Sequence, residues 1–244
     1  MDGTTVKIKN YLVKSLYRVR DPNWLVHDRS HETNLFDNYL EMHRISVGTF
    51  KQHLQGDWEL KFFTGEVDSI SQAFEKTFWR IHELWHSEPC NILYTDPDTV
   101  ARRNFDPWGF GEFRMFNFTD PRGYDRPNRY NQKFENFFNA GVRYFPQAMP
   151  ETVWEKGCAM ARDWDHSTYD TEQIILNAML WSQGLRLDQV LQPVWAYQAM
   201  NLDTHPVWWH DVWNGMSMAQ AAVIHVHGSR NAESRQQIMK KLAN

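Results

Sequence analysis

The stretch from Asn91 to Val100 reads NILYTDPDTV, and it decides the predicted fold. Its first half is a short apolar run, which is typical of a buried strand. Asp96 and Asp98 follow this run, one residue apart. Beyond the end of a strand in an α/β sheet, side chains meet in the crevice where ligands bind, and paired carboxylates there suit Mg²⁺ or Mn²⁺. The stretch therefore predicts a metal site, with an ordinary solvated turn as the alternative.

Strands and helices are predicted to alternate along the rest of the chain. Apolar runs bounded by turn residues predict strands over 6–19, 58–64, 113–116, 137–145 and 222–227. Apolar residues at helical spacing predict helices over 69–87, 151–164, 171–182 and 232–242, and Gly184 is placed as the stop of the third. No linker or repeat divides the chain. The sequence therefore predicts one α/β domain over residues 1–244, with a Rossmann-like, mostly parallel mixed sheet flanked by helices.

The composition is that of a globular protein in a reducing compartment. Of the 244 residues, 42% are hydrophobic and 23% are charged, and no apolar run approaches the ~20 residues that span a bilayer. The start does not resemble a signal peptide, and Cys90 and Cys158 give no disulfide framework. We therefore expect a cytoplasmic protein without a membrane span. The formal charge of −4 argues against unselective binding to a phosphate backbone.

Four short segments match the motifs of one enzyme family in the same order along the chain. They are DPDTV at 96–100, FNAGV at 138–142, EQIILN at 172–177 and HVHG at 225–228. This series resembles the glycogenin-like glycosyltransferases of the GT-A fold, whose motifs read D-A-D-T-hydrophobic, F-N-S-G-V, D-Q-D-x-L-N and H-x-x-G. The resemblance covers roughly residues 74–230. It implies a GT-A domain that transfers a sugar, with retention of configuration, from a nucleotide-sugar donor such as a UDP-sugar.

The resemblance also implies roles for individual residues. Asp96, Asp98 and His225 would bind Mn²⁺ or Mg²⁺. Glu172 and Gln173 would act beside the anomeric carbon, with Asp170 as a competing catalytic residue or a helix N-cap. The predicted substrate-binding residues are Arg80, Asn139, Ala140, Gly141, His227, Gly228 and Arg230. Two positions depart from the motifs: Glu172 stands in place of an Asp, and Asn231 stands where the family has a basic residue, with Arg230 one place earlier.

The residue types fit this chemistry independently of the resemblance. Departure of a sugar leaves negative charge on the diphosphate, and a divalent ion held by two Asp and one His can neutralise that charge. Alternation along a strand places His225 and His227 on the same face. Asn139 with Gly141 would let the backbone approach the sugar closely. The structural alternatives are ordinary hydrogen-bonded histidines and a bulge in a strand.

A second metal motif leaves an alternative function open. The segment His82-Glu83-Leu84-Trp85-His86 matches the H-E-x-x-H signature of zinc metalloproteases, within the helix predicted over 69–87. Helical spacing places both His on one side, away from the apolar stripe, so we expect them at the flank or surface. A third interpretation is a non-catalytic sugar-binding protein, since 15% of the residues are aromatic and aromatic faces stack on sugars.

The acceptor is not identified by the sequence. Basic residues outnumber acidic ones between positions 102 and 143, which leaves a phosphate-rich acceptor open, such as a hydroxylated base in DNA. A solvated loop with surface charges is the alternative. The basic residues are Arg102, Arg103, Arg114, Arg122, Arg126, Arg129, Lys133 and Arg143.

Overall fold

The computed structural model describes residues 7–20, 35–120, 137–164, 171–185, 196–200, 202, 205–214, 216–227 and 232–244. These residues form an α/β fold of two mixed sheets flanked by helices. The strands are β1 Lys9–Val19, β2 Glu59–Val67, β3 Cys90–Thr95, β4 Thr99–Ala101, β5 Arg114–Asp120, β6 Phe137–Phe145, β7 Ala196–Met200 and β8 Val223–His227. The helices are α1 Leu35–His53, α2 Ile70–Ser87, α3 Glu151–Arg162, α4 Thr171–Ser182, α5 Val207–Asn214 and α6 Ala232–Ala243.

The larger sheet has the strand order β2-β1-β3-β6-β5. β1 is parallel to β2 and β3, whereas β6 is antiparallel to β3 and β5. The smaller sheet has the order β4-β8-β7, with β8 antiparallel to β4 and parallel to β7. Among the described strands, parallel and antiparallel pairs are thus equal in number. The sheets are mixed, as predicted, and their parallel share is one half because β4, β5 and β6 each run against a neighbour.

Helices cover both faces of the larger sheet. Val13 of β1 packs on one face with Phe78 of α2 and Trp154 of α3. Leu12 packs on the other face with Phe50 of α1. Because these two neighbours on β1 point to opposite faces, β1 is buried on both sides, which is usual for a strand between parallel partners.

Local signals in the sequence set the bounds of the predicted helices. Ser69 caps α2, because its side chain accepts a hydrogen bond from the main-chain N of Gln72, and Pro89 follows the end of the helix. Gly184 has φ +68° after the end of α4, a conformation that favours glycine. The bounds predicted for β6 and α4 are confirmed. The described elements that were not predicted are α1, β4, β7 and α5.

Two connections fix the chain that leaves β3. The main-chain N of Asp96 donates to the carbonyl of Gly141 in β6 at 2.8 Å. Three residues later, Thr99 in β4 lies opposite His225 in β8, and the main-chain N of Val226 donates to the carbonyl of Asp98 at 2.8 Å. The turn that carries both aspartates is therefore held by the larger sheet at one end and by the smaller sheet at the other.

The lengths and compositions of the described helices can be compared with those of a membrane span. None of them combines the length and the apolar character needed to cross a bilayer. Cys90 and Cys158 are both buried, and neither forms a disulfide.

Candidate metal and donor site

The three side chains predicted to bind a metal ion lie together beyond the carboxyl end of β3. One potential ligand atom from each of Asp96, Asp98 and His225 lies within 4.8 Å of the other two. Nε2 of His225 is 3.2 Å from Oδ1 of Asp98 and 3.7 Å from Oδ2 of Asp96. Asp98 and His225 are buried, whereas the Asp96 side chain is 27% exposed. The group therefore opens to solvent on the Asp96 side.

Gly141 makes room for the imidazole of His225. A Cβ atom at position 141 would lie 2.3 Å from Cε1 and 2.5 Å from Nδ1 of His225, closer than real Cβ contacts. The main-chain N of Gly141 also donates to Oδ1 of Asn139 at 2.7 Å. A glycine at this position is thus required by the close approach of the predicted third ligand.

Arg235 of α6 holds the second oxygen of Asp98. Its Nη1 donates to Oδ2 of Asp98 at 2.6 Å and to the hydroxyl of Tyr39 at 3.0 Å. Burial alone would raise the pKa of Asp98, but His225 and Arg235 hold it well below its usual range. Burial alone would lower the pKa of His225, but the Asp98 carboxylate raises it. Asp98 is therefore ionised, with one oxygen on each of two partners.

Lys14 of β1 supports the turn after β3 from within the protein. It is fully buried, and its Nζ donates to Oγ1 of Thr95 at 2.5 Å, to Oγ of Ser46 at 2.7 Å and to the carbonyl of Asp96 at 3.1 Å. Burial lowers the pKa of Lys14 to about 7, although Asp96 and Asp98 oppose this shift. The lysine thus ties β1 and α1 to the turn that carries the aspartates.

A chain of contacts runs from Glu172 to Asp96. Glu172 and Arg143 are both buried, and Oε1 of the former is 2.6 Å from Nη2 of the latter. The guanidinium of Arg143 lies 4.1 Å from the ring centre of Tyr94, whose hydroxyl donates to Oδ1 of Asp96 at 2.9 Å. Burial raises the pKa of Glu172, and Arg143 offsets part of this rise. The first residues of α4 are thus joined to the metal-ligand group through two side chains.

The predicted sugar-binding segment of β6 and the first turns of α4 are bound to each other. The main-chain N of Ala140 donates to Oε1 of Gln173 at 3.0 Å. Asn177 accepts from the main-chain N of Phe138 and donates to its carbonyl, both at 2.8 Å. Two motifs that are far apart in the sequence are therefore hydrogen-bonded to each other.

The other predicted site residues lie in different places. The His227 ring is 5.6 Å from the His225 ring, as expected for two residues on one face of a strand. Arg80 is exposed, with its guanidinium 5.6 Å from the Phe63 ring, and it lines an open surface cavity. Asp170, Gly228 and Arg230 lie outside the described residues.

The donor set fits the predicted divalent ion. Two carboxylates supply the oxygen ligands that Mg²⁺ and Mn²⁺ prefer, and an imidazole supplies a nitrogen. Gly141 leaves space that a Cβ would fill beside that imidazole. Asp96, Asp98 and His225 would hold the ion, and the exposed side of Asp96 would face an incoming ligand.

The H-E-x-x-H motif lies at the surface, as expected. His86 is exposed and His82 is half-buried, with its ring 5.2 Å from the Trp154 ring. Nε2 of His86 is 3.5 Å from Oε1 of Glu151 in α3. Within the described ranges, a compact group of three potential ligand atoms occurs at Asp96, Asp98 and His225 alone. The protease interpretation therefore has no third ligand in this part of the chain.

Two of the eight basic residues counted between positions 102 and 143 are unsuited to a basic surface. Arg114 is buried and bonded to Glu112, and Arg143 is buried against Glu172. Arg102 and Arg103 are exposed. The remaining four, Arg122, Arg126, Arg129 and Lys133, lie outside the described residues. The support for a nucleic-acid acceptor is therefore weaker than the count alone indicated.

The sequence did not predict that Lys14, Arg143 or Arg235 would contact the predicted site residues. Lys14 interrupts the apolar run Tyr11–Tyr17, and Arg143 interrupts β6, so a charge inside a buried strand was an available signal for both. Arg235 lies in a polar helix, where nothing in the pattern distinguishes it.

Solved structures share this fold over nearly the whole chain. The bifunctional glycosyltransferase WbbM matches 98% of this chain, which spans 52% of that enzyme, with TM-score 0.52 and 11% identity. A glycosyltransferase involved in glycosylation of the major capsid of PBCV-1 matches 96% of this chain and 99% of its own, with TM-score 0.52 and 12% identity. The galactosyltransferase LgtC, solved with donor and acceptor sugar analogs, matches 96% and 95%, with TM-score 0.50 and 15% identity.

At these identities the likeness shows the fold. The chain has the α/β fold of GT-A glycosyltransferases, which confirms the fold that the resemblance implied. No protein-family model and no curated protein matches this sequence.

Proposed function

We propose that this protein is a metal-dependent glycosyltransferase that moves a hexose or pentose from a nucleoside diphosphate, with UDP as the expected carrier, onto an acceptor. The observation that carries this proposal is the Asp96, Asp98 and His225 group beyond the end of β3, in a chain with the GT-A fold. Carboxylates and an imidazole at this place suit an ion that binds a diphosphate.

The reaction needs charge stabilisation at the departing diphosphate. A divalent ion, when bound, supplies positive charge where negative charge develops on the leaving group. Asp96, Asp98 and His225 would hold that ion. Gly141 and the hydrogen bond to Asp98 from Arg235 keep two of these ligands in place before the donor arrives.

The sugar would lie against β6 and the start of α4. Asn139, Ala140 and Gly141 would present main-chain and amide groups to the sugar, and Gln173 is fixed to this segment through Ala140. Gln173 is half-buried, whereas Glu172 is buried against Arg143. We therefore assign Gln173 the direct role beside the anomeric carbon and Glu172 a role through its charge, with Asp170 as the alternative catalytic residue.

The diphosphate would leave on the side of β8. His227, half-buried beside His225, together with Gly228 and Arg230, would contact phosphate or acceptor, and Arg80 would contact the donor. Retention of anomeric configuration is the outcome that the family resemblance implies.

A donor panel tests the proposal directly. We expect one nucleotide sugar, incubated with purified protein and Mn²⁺, to be hydrolysed slowly, with release of the nucleoside diphosphate blocked by a chelator. Asp96→Asn is the matched negative control. It should release far less nucleoside diphosphate, because it removes one proposed ligand from the exposed side of the group. Absence of turnover for every donor, together with absence of UDP binding in calorimetry with Mn²⁺, would contradict the proposal.

A further inference from the structure

Arg235 places a permanent positive charge against a predicted metal ligand. Its Nη1 is 2.6 Å from Oδ2 of Asp98, and both side chains are more than nine-tenths buried. A guanidinium stays protonated at any pH a protein tolerates, so this charge cannot be relieved by loss of a proton. Any cation bound at Asp98 therefore meets the field of Arg235.

The position of Arg235 leaves Asp98 one oxygen for the ion. Oδ2 is engaged by Arg235, and Oδ1 faces Nε2 of His225 at 3.2 Å. The backbone of Asp98 is held independently, because its carbonyl accepts from Val226. Loss of the Arg235 side chain would therefore free one carboxylate oxygen without releasing the turn.

We propose that Arg235 is a positioning residue that restricts Asp98 to one metal-binding oxygen and cancels its charge, so that the ion binds firmly only together with a diphosphate. Resting on the proposed function, this inference concerns how the metal and the donor bind to one site. The diphosphate supplies negative charge to the ion in place of the Asp98 charge that Arg235 neutralises. Metal and nucleotide would then strengthen each other's binding by the same factor, as thermodynamic linkage requires.

Replacing Arg235 with a neutral residue has two opposite effects on metal binding: it removes a positive charge near the ion, and it removes a hydrogen-bond donor that supports Asp98. Removal of a hydrogen-bonded partner of a metal ligand commonly weakens metal binding about tenfold or more. Removal of a unit positive charge that neighbours a divalent ion would strengthen binding of the ion by a larger factor, even at the effective dielectric of a protein surface. Since the backbone of Asp98 stays fixed, we expect the charge effect to dominate.

The test is calorimetry of Mn²⁺ binding with and without UDP. We expect Arg235→Gln, which keeps an N–H donor but removes the charge, to bind Mn²⁺ alone about tenfold more tightly than wild type. The factor by which UDP strengthens Mn²⁺ binding should fall correspondingly. Arg235→Lys keeps the charge and should bind Mn²⁺ alone within about threefold of wild type. Arg235→Met is a second neutral variant if Arg235→Gln does not fold.

Two further variants control for other effects. Tyr39→Phe removes the other hydrogen bond of Arg235 without changing charge, and Arg20→Gln makes the same change in net charge at an exposed position. Both should bind Mn²⁺ as wild type does. Unchanged or weaker Mn²⁺ binding in a folded neutral variant would overturn this inference. Binding in Arg235→Lys that is as tight as in the neutral variants would overturn it too. Wild-type protein that binds neither Mn²⁺ nor UDP would instead remove the proposed function.

Discussion

Gly141 lies so close to His225 that a Cβ at position 141 would be 2.3 Å from Cε1 of the imidazole. The same glycine accepts a hydrogen bond through its carbonyl from the main-chain N of Asp96 at 2.8 Å. Two of the three predicted metal ligands thus depend on one residue of β6. This explains physically why a glycine stands in the middle of a fully buried strand.

The first prediction concerns Gly141→Ala. The added methyl group must displace His225, because the backbone on both sides is fixed by strand pairing. We expect Mn²⁺ binding and donor turnover to fall by about a hundredfold, the scale of losing one metal ligand or its support. Calorimetry and steady-state rates measure both quantities. Gly48→Ala, at a position with nothing within 4 Å of an added Cβ, should leave both unchanged. Normal metal binding in Gly141→Ala would remove His225 from the ligand set.

The second prediction separates the two aspartates. Asp96→Asn and Asp98→Asn should each lower donor turnover by orders of magnitude, since each removes a charged ligand. Only Asp98→Asn should also lose much stability, because it leaves Arg235 buried without its carboxylate partner, at a cost of about 3–5 kcal/mol. Urea unfolding without metal measures this difference. Exposed Asp57→Asn should match wild type in both assays. Full turnover in Asp96→Asn would argue against the metal site.

The third prediction tests the competing metal motif. The double variant His82→Ala, His86→Ala should keep donor turnover near wild type, because both residues lie at the surface of α2. A modest loss of stability is expected, since His82 packs against Trp154 and His86 lies near Glu151. Elemental analysis of purified wild-type protein should show no stoichiometric zinc. Zinc that disappears in the double variant, accompanied by peptidase activity, would favour the protease interpretation instead.

The fourth prediction concerns Gln173. A group beside the anomeric carbon acts mainly in the transition state, so Gln173→Ala should lower the transfer rate about a hundredfold while donor binding stays close to wild type. Calorimetry with donor and Mn²⁺, beside single-turnover rates, separates the two quantities. Asn177→Ala, one turn along α4, should lose stability instead, because both of its bonds to Phe138 brace β6. An unchanged transfer rate in Gln173→Ala would contradict its catalytic role and favour Asp170 as the catalytic residue.

Glu172 provides a further contrast within the same motif. Glu172→Gln removes the charge that balances buried Arg143, so this variant should unfold at markedly lower urea concentration than Gln173→Ala. Adding Arg143→Met should recover part of that stability, as a double-mutant cycle would measure. Recovery of stability without recovery of transfer would support a role of the Glu172 charge in the reaction. Recovery of both would make Glu172 purely structural.

The fold could be predicted from the sequence wherever apolar periodicity was strong. β6 and α4 have the predicted bounds, and α2 begins one residue after its predicted start. α1 was missed because its buried face includes the polar residues His43, Ser46 and Thr49, which give no apolar stripe. The three-residue strand β4 depends on pairing with β8 and has no local signal of its own.

The candidate site was predictable in part for a different reason. The motifs indicated the three proposed metal ligands, which the fold brings together, because each lies in a short segment with recognisable spacing. They could not name the cations that balance these ligands, because pairing in space is independent of spacing along the chain. Asp98 and Arg235 are 137 residues apart. Lys14 is 82 residues from Asp96, whose carbonyl it binds. Charge balance in a buried site is a property of the folded chain, and the sequence indicates only that unpaired buried charges would be costly.

The last prediction follows from the burial of Lys14. Burial lowers its pKa from 10.5 to about 7, so between these values the unfolded chain binds more protons than the folded protein. The contribution of Lys14 to the free energy of unfolding should therefore rise with pH across this window, by about 1.4 kcal/mol per pH unit. Below pH 7 both states are protonated, and the contribution should stop changing. Lys14→Met removes this dependence, although it also removes one of two donors to the carbonyl of Asp96, the other being the hydroxyl of Thr99.

Urea unfolding at pH 7 and pH 9 with a chelator present measures the difference between the two proteins. We expect Lys14→Met to be clearly less stable than wild type at pH 9 and to approach it as the pH falls to 7. Lys51→Met, which changes an exposed lysine at the end of α1, should follow the wild-type profile. Parallel profiles for wild type and Lys14→Met would mean that the lysine stays charged in the folded protein. It would then support the turn after β3 as an ammonium ion paired electrostatically with Asp96 and Asp98.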